Sequence, residues 1–203
     1  MTQAVNQSSA RRRILLIALL FALPVIAAYA LYLSGWRPSA TGNHGELVQP
    51  ARPVEDVALT LLDGKSIRFS QLHGKWTLIA FGAAECLSPC ERNLYNMRQV
   101  IETQGKEADR VQSVFVLTDA KALDWLRYAI KDYPNTRVIV GPPDGVATLA
   151  RQFALPVGSP LNNLNRVYLV DPLGNLMMSY PAEADPSGMR EDLARLLRVS
   201  RIG

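Results

Sequence analysis

The longest run of uncharged apolar positions lies near the N-terminus, where residues 14–33 read ILLIALLFALPVIAAYALYL. At about 1.5 Å per residue, a helix of this length crosses a hydrocarbon core of about 30 Å. Three arginines at residues 11–13 precede the run, and only Arg37 follows closely. By the positive-inside rule, this predicts a cytoplasmic N-terminus over residues 1–13 and a transmembrane anchor over residues 14–33.

A cleaved signal peptide is the alternative interpretation of this segment. Ala28, Tyr29 and Ala30 form the small-x-small pattern that is typical of a cleavage site. The apolar run continues through Leu31 and Leu33, which favours an uncleaved anchor. Both interpretations export the remainder of the chain. We therefore expect a single-pass protein of the cytoplasmic (inner) membrane, with its C-terminal domain in the periplasm.

Glycine and proline are frequent in the stretch that follows the apolar run. Residues 34–53 contain three glycines and three prolines among polar residues. They show neither helical nor strand periodicity. We therefore expect a linker over residues 34–53 and one folded domain over residues 54–203.

The first half of that domain alternates between strand and helix patterns. Residues 57–69 alternate about Asp63-Gly64, a dipeptide that favours a tight hairpin turn. Residues 76–81 are continuously apolar, as in a strand buried on both faces. The next predicted elements are a helix from Pro89 to about Gln104, a strand over residues 111–117, and a helix capped by Asp119 with Leu123, Leu126 and Ile130 inside.

The second half predicts a short strand, a short helix, a hairpin and a closing helix. Residues 171–174 (DPLG) suit a turn, because proline presets φ and Gly174 tolerates positive φ. Asp185 with Pro186 begins the last helix. The other elements lie over residues 137–140, 146–153, 167–170 and 176–180. This order indicates an α/β fold similar to the thioredoxin-like arrangement, a mixed sheet flanked by helices.

Composition and charge exclude several classes of protein. The 203 residues are 48% hydrophobic and 20% charged, which is typical of a globular chain. The net charge of +4 comes from four arginines in residues 1–40, and the remainder balances 18 basic against 18 acidic residues. That balance argues against nucleic-acid binding. Two cysteines and two histidines are too few for a disulfide-rich scaffold or a structural zinc site.

The candidate chemistry lies in the two cysteines. Cys86 and Cys90 follow the continuously apolar strand and begin the next predicted helix. Residues at i and i+4 share one helix face, where their Cα atoms are close enough for a disulfide. The free N–H groups of a helix N-terminus also favour a thiolate, which attacks disulfides and binds soft metals. We expect Cys86 to be the more exposed and more reactive thiol.

Two observations leave the role of this pair open. Glu85 and Glu91 place negative charge beside the cysteines, and Arg92 compensates in part. A permanent structural disulfide is also compatible with an oxidising compartment. A ring this short removes little unfolded-state entropy, however, and a strand-to-helix junction suits chemistry. Cys86 and Cys90 are therefore candidate catalytic residues of a thiol-disulfide oxidoreductase.

Two stretches of the domain carry a family resemblance: DGKSIRFSQLHGKWTLIAFGAAECLSPCERNL over residues 63–94 and YLVDPLG over residues 168–174. They resemble the Sco (SCO/SenC) family of cytochrome oxidase assembly proteins. The likeness covers most of residues 55–199. It implies a thioredoxin-like domain anchored outside the cytoplasmic membrane, copper held by both cysteines and one histidine, and action on the copper A site of the oxidase.

The chain departs from the Sco pattern at the third copper ligand. Where the family has a histidine ahead of the YLVDPLG stretch, this chain has Asn163, with Asn162 beside it. An amide oxygen is a poor substitute for imidazole toward Cu(I). Cys86 and Cys90 are thus candidate copper ligands whose third partner is unknown, and copper is a candidate cofactor.

Other methionines and histidines do not complete the set. Met97 lies on the predicted core face of its helix. Met177 and Met178 are adjacent on a strand and point to opposite faces. His73 lies at the start of the apolar strand rather than at its end, and His44 lies in the linker.

Three functional hypotheses fit these residues. The first is a membrane-anchored thiol-disulfide protein that assists cytochrome c oxidase assembly by keeping copper-site cysteines reduced. The second is a copper chaperone with an incomplete two-cysteine site. The third is a non-enzymatic interaction module in which Cys86 and Cys90 form a permanent disulfide that only stabilises the fold. By resemblance, the partner is the copper-site subunit of the oxidase or another assembly factor.

Overall fold

The computed structural model describes residues 7–35, 42–86, 88–119, 121–162 and 165–202. The chain divides into two compact units, with the boundary between Gly42 and Asn43. The first unit contains the helix α1 (Gln7–Leu33). Its segment Ala10–Leu33 is long and apolar enough to cross a membrane. The predicted N-terminal apolar helix is therefore confirmed, and it fits a single-pass anchor.

The second unit is built on one mixed sheet, which has eight strands among the described residues. The strands are β1 (Glu46–Pro53), β2 (Ala58–Leu61), β3 (Ser66–Arg68), β4 (Trp76–Ala83), β5 (Val111–Asp119), β6 (Thr136–Gly141), β7 (Arg166–Val170) and β8 (Asn175–Pro181). The helices are α2 (Ser88–Glu102), α3 (Leu123–Ala129), α4 (Pro143–Gln152) and α5 (Pro186–Val199). The strand order is β1-β8-β7-β4-β5-β6-β2-β3.

The strand β4 lies inside the sheet because its sequence is apolar on both faces. Its first six residues are all buried. Leu78 and Ala80 face a core layer that includes α2 and α5, whereas Ile79 and Phe81 face a second layer that includes α4. β4 pairs in parallel with β5 and antiparallel with β7. This arrangement confirms the predicted thioredoxin-like sheet with helices on both sides.

Both predicted hairpins are present. β2 pairs antiparallel with β3, and β7 pairs antiparallel with β8. Gly64 and Gly174, in the two turns, have φ values of +86° and +90°. A side chain is disfavoured at such angles, so the glycines allow the tight reversals.

The linker is shorter than the sequence predicts. Residues 34–53 read as a linker, but Glu46–Pro53 form β1, which pairs antiparallel with β8. β1 is an outermost strand whose residues are nearly all exposed, so it has no alternating apolar pattern. An edge strand also tolerates proline. The folded unit therefore begins at Asn43, ahead of the expected boundary at residue 54.

The predicted cap of the helix after β5 is wrong. Asp119 ends β5, and the residue before α3 is Ala122, which makes no side-chain cap hydrogen bond. The Asp119 carboxylate instead accepts a hydrogen bond from the N–H of Lys121 at 3.1 Å. The Asp119 carbonyl accepts from the N–H of Ala84 at 2.9 Å. This last bond ties the connection after β4 to the end of β5.

Candidate functional site

Cys86 and Cys90 lie where the central strand gives way to α2. β4 ends at Ala83 and α2 begins at Ser88, so Cys86 lies in the connection and Cys90 in the first helical turn. The two sulfurs form a disulfide, with their Cα atoms 5.1 Å apart. The structure thus brings both predicted site residues together at a strand-to-helix junction. Their catalytic role stays a prediction.

The disulfide is buried. Cys86 is 1% exposed and Cys90 is 7% exposed, and both belong to the core layer that contains Leu94 and Leu117. The expectation that Cys86 is the more exposed thiol is therefore wrong. The hydrogen bond from the Ala84 N–H to the Asp119 carbonyl holds the connection between β4 and α2 against the sheet. The Cys86 sulfur, which lies in this connection, therefore packs into the core.

Gly82 makes room for the Cys90 sulfur, a role that is not evident from the pattern of apolar residues alone. A Cβ atom at Gly82 would lie 3.0 Å from Sγ of Cys90 and 2.9 Å from Cζ of Phe115. A side chain here would therefore displace the disulfide or the aromatic ring. The available signal was a glycine at the end of a continuously apolar strand, which marks close approach to the backbone.

The residues beside the disulfide give it an acidic rim. Glu85 and Glu91 are exposed on either side of the pair. Arg92 was the expected compensating charge, but its guanidinium donates to the carboxylate of Glu183 at 3.0 Å. Negative charge beside a thiol disfavours the thiolate. Glu85 and Glu91 therefore oppose the helix N-terminus, whose free N–H groups favour the thiolate.

The described residues do not complete a copper site. They contain no group of three or more His, Cys, Asp or Glu side chains that could hold a metal. Asn163 lies outside the described residues, and Asn162 ends a short 3-10 helix, Pro160–Asn162. Because Cys86 and Cys90 are bonded to each other, neither offers a thiolate until the pair is reduced. The donor set as described therefore does not fit a closed copper centre.

The other side chains considered as ligands lie in packing or surface positions. Met97 and Met178 are buried, and Met177 is half-buried in the same core layer. His73 is exposed near the start of β4. β4 has eight residues, which at about 3.3 Å each separate His73 from the cysteines by about 25 Å of strand.

His44 is not in a free linker but is held on α5. Its backbone N–H and that of Gly45 donate to Oδ2 of Asp192 at 2.8 and 2.9 Å. The Tyr180 hydroxyl donates to the same oxygen at 3.2 Å. Asp192 is 3% exposed, so a buried carboxylate fixes the start of the domain. An aspartate on the inner face of the last predicted helix was the available signal.

Comparison with known proteins agrees with this fold. Residues 76–200 match the family model described as transmembrane-like, thioredoxin-like, C-terminal domain. No curated protein matches the chain.

Similar solved structures include Sco proteins and a thiol-disulfide oxidoreductase. Copper-bound Sco1 from yeast has a TM-score of 0.63 and 19% identity, covering 75% of this chain and 96% of that chain. Copper-bound ScoI from Arabidopsis thaliana has a TM-score of 0.61 and 20% identity, covering 72% and 98%. The thioredoxin domain of a thiol-disulfide oxidoreductase from Bacteroides vulgatus has a TM-score of 0.54 and 18% identity, covering 71% and 95%.

At these identities the likeness concerns the fold, and it confirms the Sco-like, thioredoxin-like architecture predicted from the sequence. The family model reaches further, because it matches more than half of the chain. The chain therefore belongs to the family of transmembrane-like, thioredoxin-like C-terminal domains.

Proposed function

We propose that this chain is a membrane-anchored thiol-disulfide protein that exchanges its Cys86–Cys90 disulfide with cysteines of a partner in the periplasm. The observation that best supports this proposal is the disulfide at the junction of β4 and α2 in a thioredoxin-like sheet. The helix α1 serves as the anchor in the cytoplasmic membrane. The arginines at residues 11–13 support an orientation that exports the domain.

The reaction proposed is reduction of a partner disulfide. One thiolate of the reduced pair attacks a partner sulfur, so that a mixed disulfide forms and the second partner sulfur leaves as a thiolate. The other cysteine of the pair loses its proton and attacks the mixed disulfide. The partner then holds two thiols, having gained two electrons and two protons, and Cys86 and Cys90 hold the disulfide. A dithiol reductant restores the pair by the same exchange.

The partner proposed is the copper-site subunit of cytochrome c oxidase or another assembly factor. Cysteines that ligate copper must be reduced before they bind the metal. The similarity in fold to Sco proteins supports this assignment.

Burial of the sulfurs adds a step to this mechanism. A partner thiol cannot reach sulfurs that are 1% and 7% exposed without displacing the residues that cover them. Exchange therefore begins with local opening around the first turn of α2, which is rich in exposed polar residues.

The deciding experiment measures the reduction potential of the full chain in lipid nanodiscs. A potential near about −200 mV supports exchange chemistry, and a potential below roughly −300 mV indicates a structural staple. Mixed-disulfide trapping provides the second measurement, with a disulfide-bonded peptide that carries the copper-site cysteine pair. Cys86→Ser and Cys90→Ser serve as a matched pair, and one of them should accumulate the trapped adduct. A reduction potential below roughly −300 mV, together with no trapped adduct from either variant, would overturn the proposal.

Copper delivery is the second candidate, favoured by the copper-bound Sco structures of similar fold. Cu(I) stoichiometry of the reduced chain, measured against a competing chelator, tests it. We expect weak retention in the wild type and stronger retention in Asn163→His, which supplies the imidazole of the Sco pattern. Tight retention of one Cu(I) per wild-type chain would favour the chaperone instead.

The orientation has its own test. Alkaline phosphatase fused to the C-terminus is active only after export, so we expect activity in cells. Mass spectrometry of the membrane fraction should find residues 1–33 still attached. An inactive fusion would show that the C-terminal domain is not exported. A chain that lacks residues 1–33 would indicate a cleaved signal peptide.

A further inference from the structure

A pocket of about 450 Å³ lies beside the outermost strand β1. It is lined by β1, by the turn at residues 155–157 and by Ser179 of β8. Val48 and Leu155 on its walls pack against the core layer that includes α4. The disulfide belongs to the other core layer, so this pocket is separate from the redox site. Its volume is typical of small-molecule sites.

The backbone builds the walls of this pocket. Leu47 pairs with Met178 and Arg52 pairs with Leu176, so residues 48–51 bulge away from β8. On the opposite wall, Leu155 and Gly158 exchange two backbone hydrogen bonds of 2.8 and 2.9 Å. Because both walls rest on backbone geometry, the pocket does not depend on the rotamer of one side chain.

Three buried hydrogen-bond donors lie on β7 and β8, and one of them, Ser179, lines the pocket. Ser179 Oγ, Tyr168 Oη and Arg166 Nε have no hydrogen-bond partner among the described residues. These residues are 1%, 0% and 5% exposed. Tyr168 is directly opposite Ser179 in the β7–β8 register, and Arg166 begins β7. Burial raises the pKa of Tyr168 to about 12, so its hydroxyl stays protonated and able to donate. Buried donors without partners call for an acceptor.

The charge of Arg166 is balanced by a residue at the pocket itself. The guanidinium of Arg166 donates through Nη2 to the carboxylate of Glu46, which lines the pocket. The Arg166 side chain is 6% exposed, whereas that of Glu46 is 58% exposed. A buried guanidinium requires a nearby anion, but a half-exposed carboxylate loses little by turning into water. Glu46 is therefore a replaceable partner of Arg166.

We propose that this pocket binds a small carboxylic acid with a compact apolar body. The ligand carboxylate replaces that of Glu46 on Arg166 and accepts a hydrogen bond from Ser179. The apolar body lies against Val48, Leu155 and the other apolar residues of the walls. This inference does not depend on the proposed redox function.

The test uses the full chain in lipid nanodiscs, with empty nanodiscs as the blank. The probes are cyclohexanecarboxylate and its neutral amide, which have the same apolar body. Ligand-observed NMR gives a Kd for each. We expect the acid to bind about ten-fold more tightly than the amide, because only the acid can pair with the guanidinium.

Variants of the pocket separate specific binding from general attraction of anions. Glu46→Gln removes the competing carboxylate and should tighten acid binding about three-fold or more. Ser179→Ala removes one donor and should weaken it about five-fold or more. Glu55→Gln removes an exposed carboxylate that does not line the pocket and should leave the Kd unchanged. Equal binding of acid and amide, absence of binding, or weaker acid binding by Glu46→Gln would overturn the proposal.

Discussion

Gly82 lies directly against the sulfur of Cys90, since a Cβ atom on Gly82 would come within 3.0 Å of Sγ. The disulfide can therefore occupy its position only beside a residue without a side chain. We predict that Gly82→Ala destabilises the oxidised protein by about 1–3 kcal/mol, the usual cost of overpacking a filled core. The loss should be smaller after reduction, because a free thiol can rotate away. Urea unfolding with and without reductant measures both values.

Gly141→Ala is the matched control for this prediction. A Cβ at Gly141 would have its nearest neighbour at 3.8 Å, an ordinary contact. Its effect should be clearly smaller than that of Gly82→Ala, because the added methyl group meets only ordinary van der Waals contacts. If both variants lose equal stability, contact with the sulfur is not the cause.

The elements that the sequence predicts correctly are those whose signals are local. The continuously apolar residues 76–81 identify β4, and the Asp63-Gly64 and DPLG turns identify both hairpins. The strand β1 escapes prediction because it lies at the edge of the sheet and is stabilised by pairing with β8 rather than by burial. Its residues therefore leave no pattern that distinguishes them from a linker.

The sequence predicts where the candidate site lies but not that its disulfide is buried. The position of Cys86 and Cys90 after an apolar strand is a local signal. The burial of the disulfide depends on Gly82 and on the bond between Ala84 and Asp119, which joins residues 35 positions apart. Such contacts arise only when β4 and β5 are placed side by side.

The order of thiol modification follows from the burial of the two sulfurs. Because Cys90 is 7% exposed and Cys86 is 1% exposed, we predict that iodoacetamide modifies Cys90 several-fold faster in the reduced full chain. Quenched labelling followed by mass spectrometry of the separated peptides measures both rates. In concentrated urea the two rates should converge, which shows that the fold sets the order. Faster modification of Cys86 under native conditions would contradict this expectation.

Asp56 makes the free energy of unfolding of the domain depend on pH in the acid range. A hydrogen bond from the backbone N–H of Ser70, and then one from the Arg68 side chain, lower the pKa of Asp56 from 3.8 to about 2. A carboxyl whose pKa is lower in the folded state contributes stability above its unfolded pKa and loses it as the pH falls through the folded value. We predict that Asp56→Asn is less stable than the wild type at pH 6. The difference should shrink between about pH 4 and pH 2.

Urea unfolding midpoints at pH 6, 4, 3 and 2 check this dependence. Glu55→Gln removes the neighbouring exposed carboxylate and should keep the wild-type dependence on pH. Parallel curves for the wild type and Asp56→Asn would show that Asp56 is not the responsible group.

Asp192 determines whether the start of the domain stays attached to α5. One of its oxygens accepts hydrogen bonds from the backbone N–H groups of His44 and Gly45 and from the Tyr180 hydroxyl. Asp192→Ala removes the acceptor of all three hydrogen bonds and leaves the Tyr180 hydroxyl buried without its partner. We predict a loss of about 3 kcal/mol, since hydrogen bonds to a buried charged group are among the stronger ones. Hydrogen exchange at the amides of His44 and Gly45 should become much faster.

Glu191→Ala is the control, because it removes the adjacent carboxylate on the same helix. Glu191 contacts the His44 ring at 3.2 Å, but both side chains are about half exposed. An exposed pair of this kind contributes at most about 1 kcal/mol, so exchange at the two amides should stay close to that of the wild type. If Asp192→Ala unfolds at a lower urea concentration while these amides remain protected, its carboxylate stabilises α5 alone. The attachment of residues 43–45 would then depend on the pairing of β1 with β8.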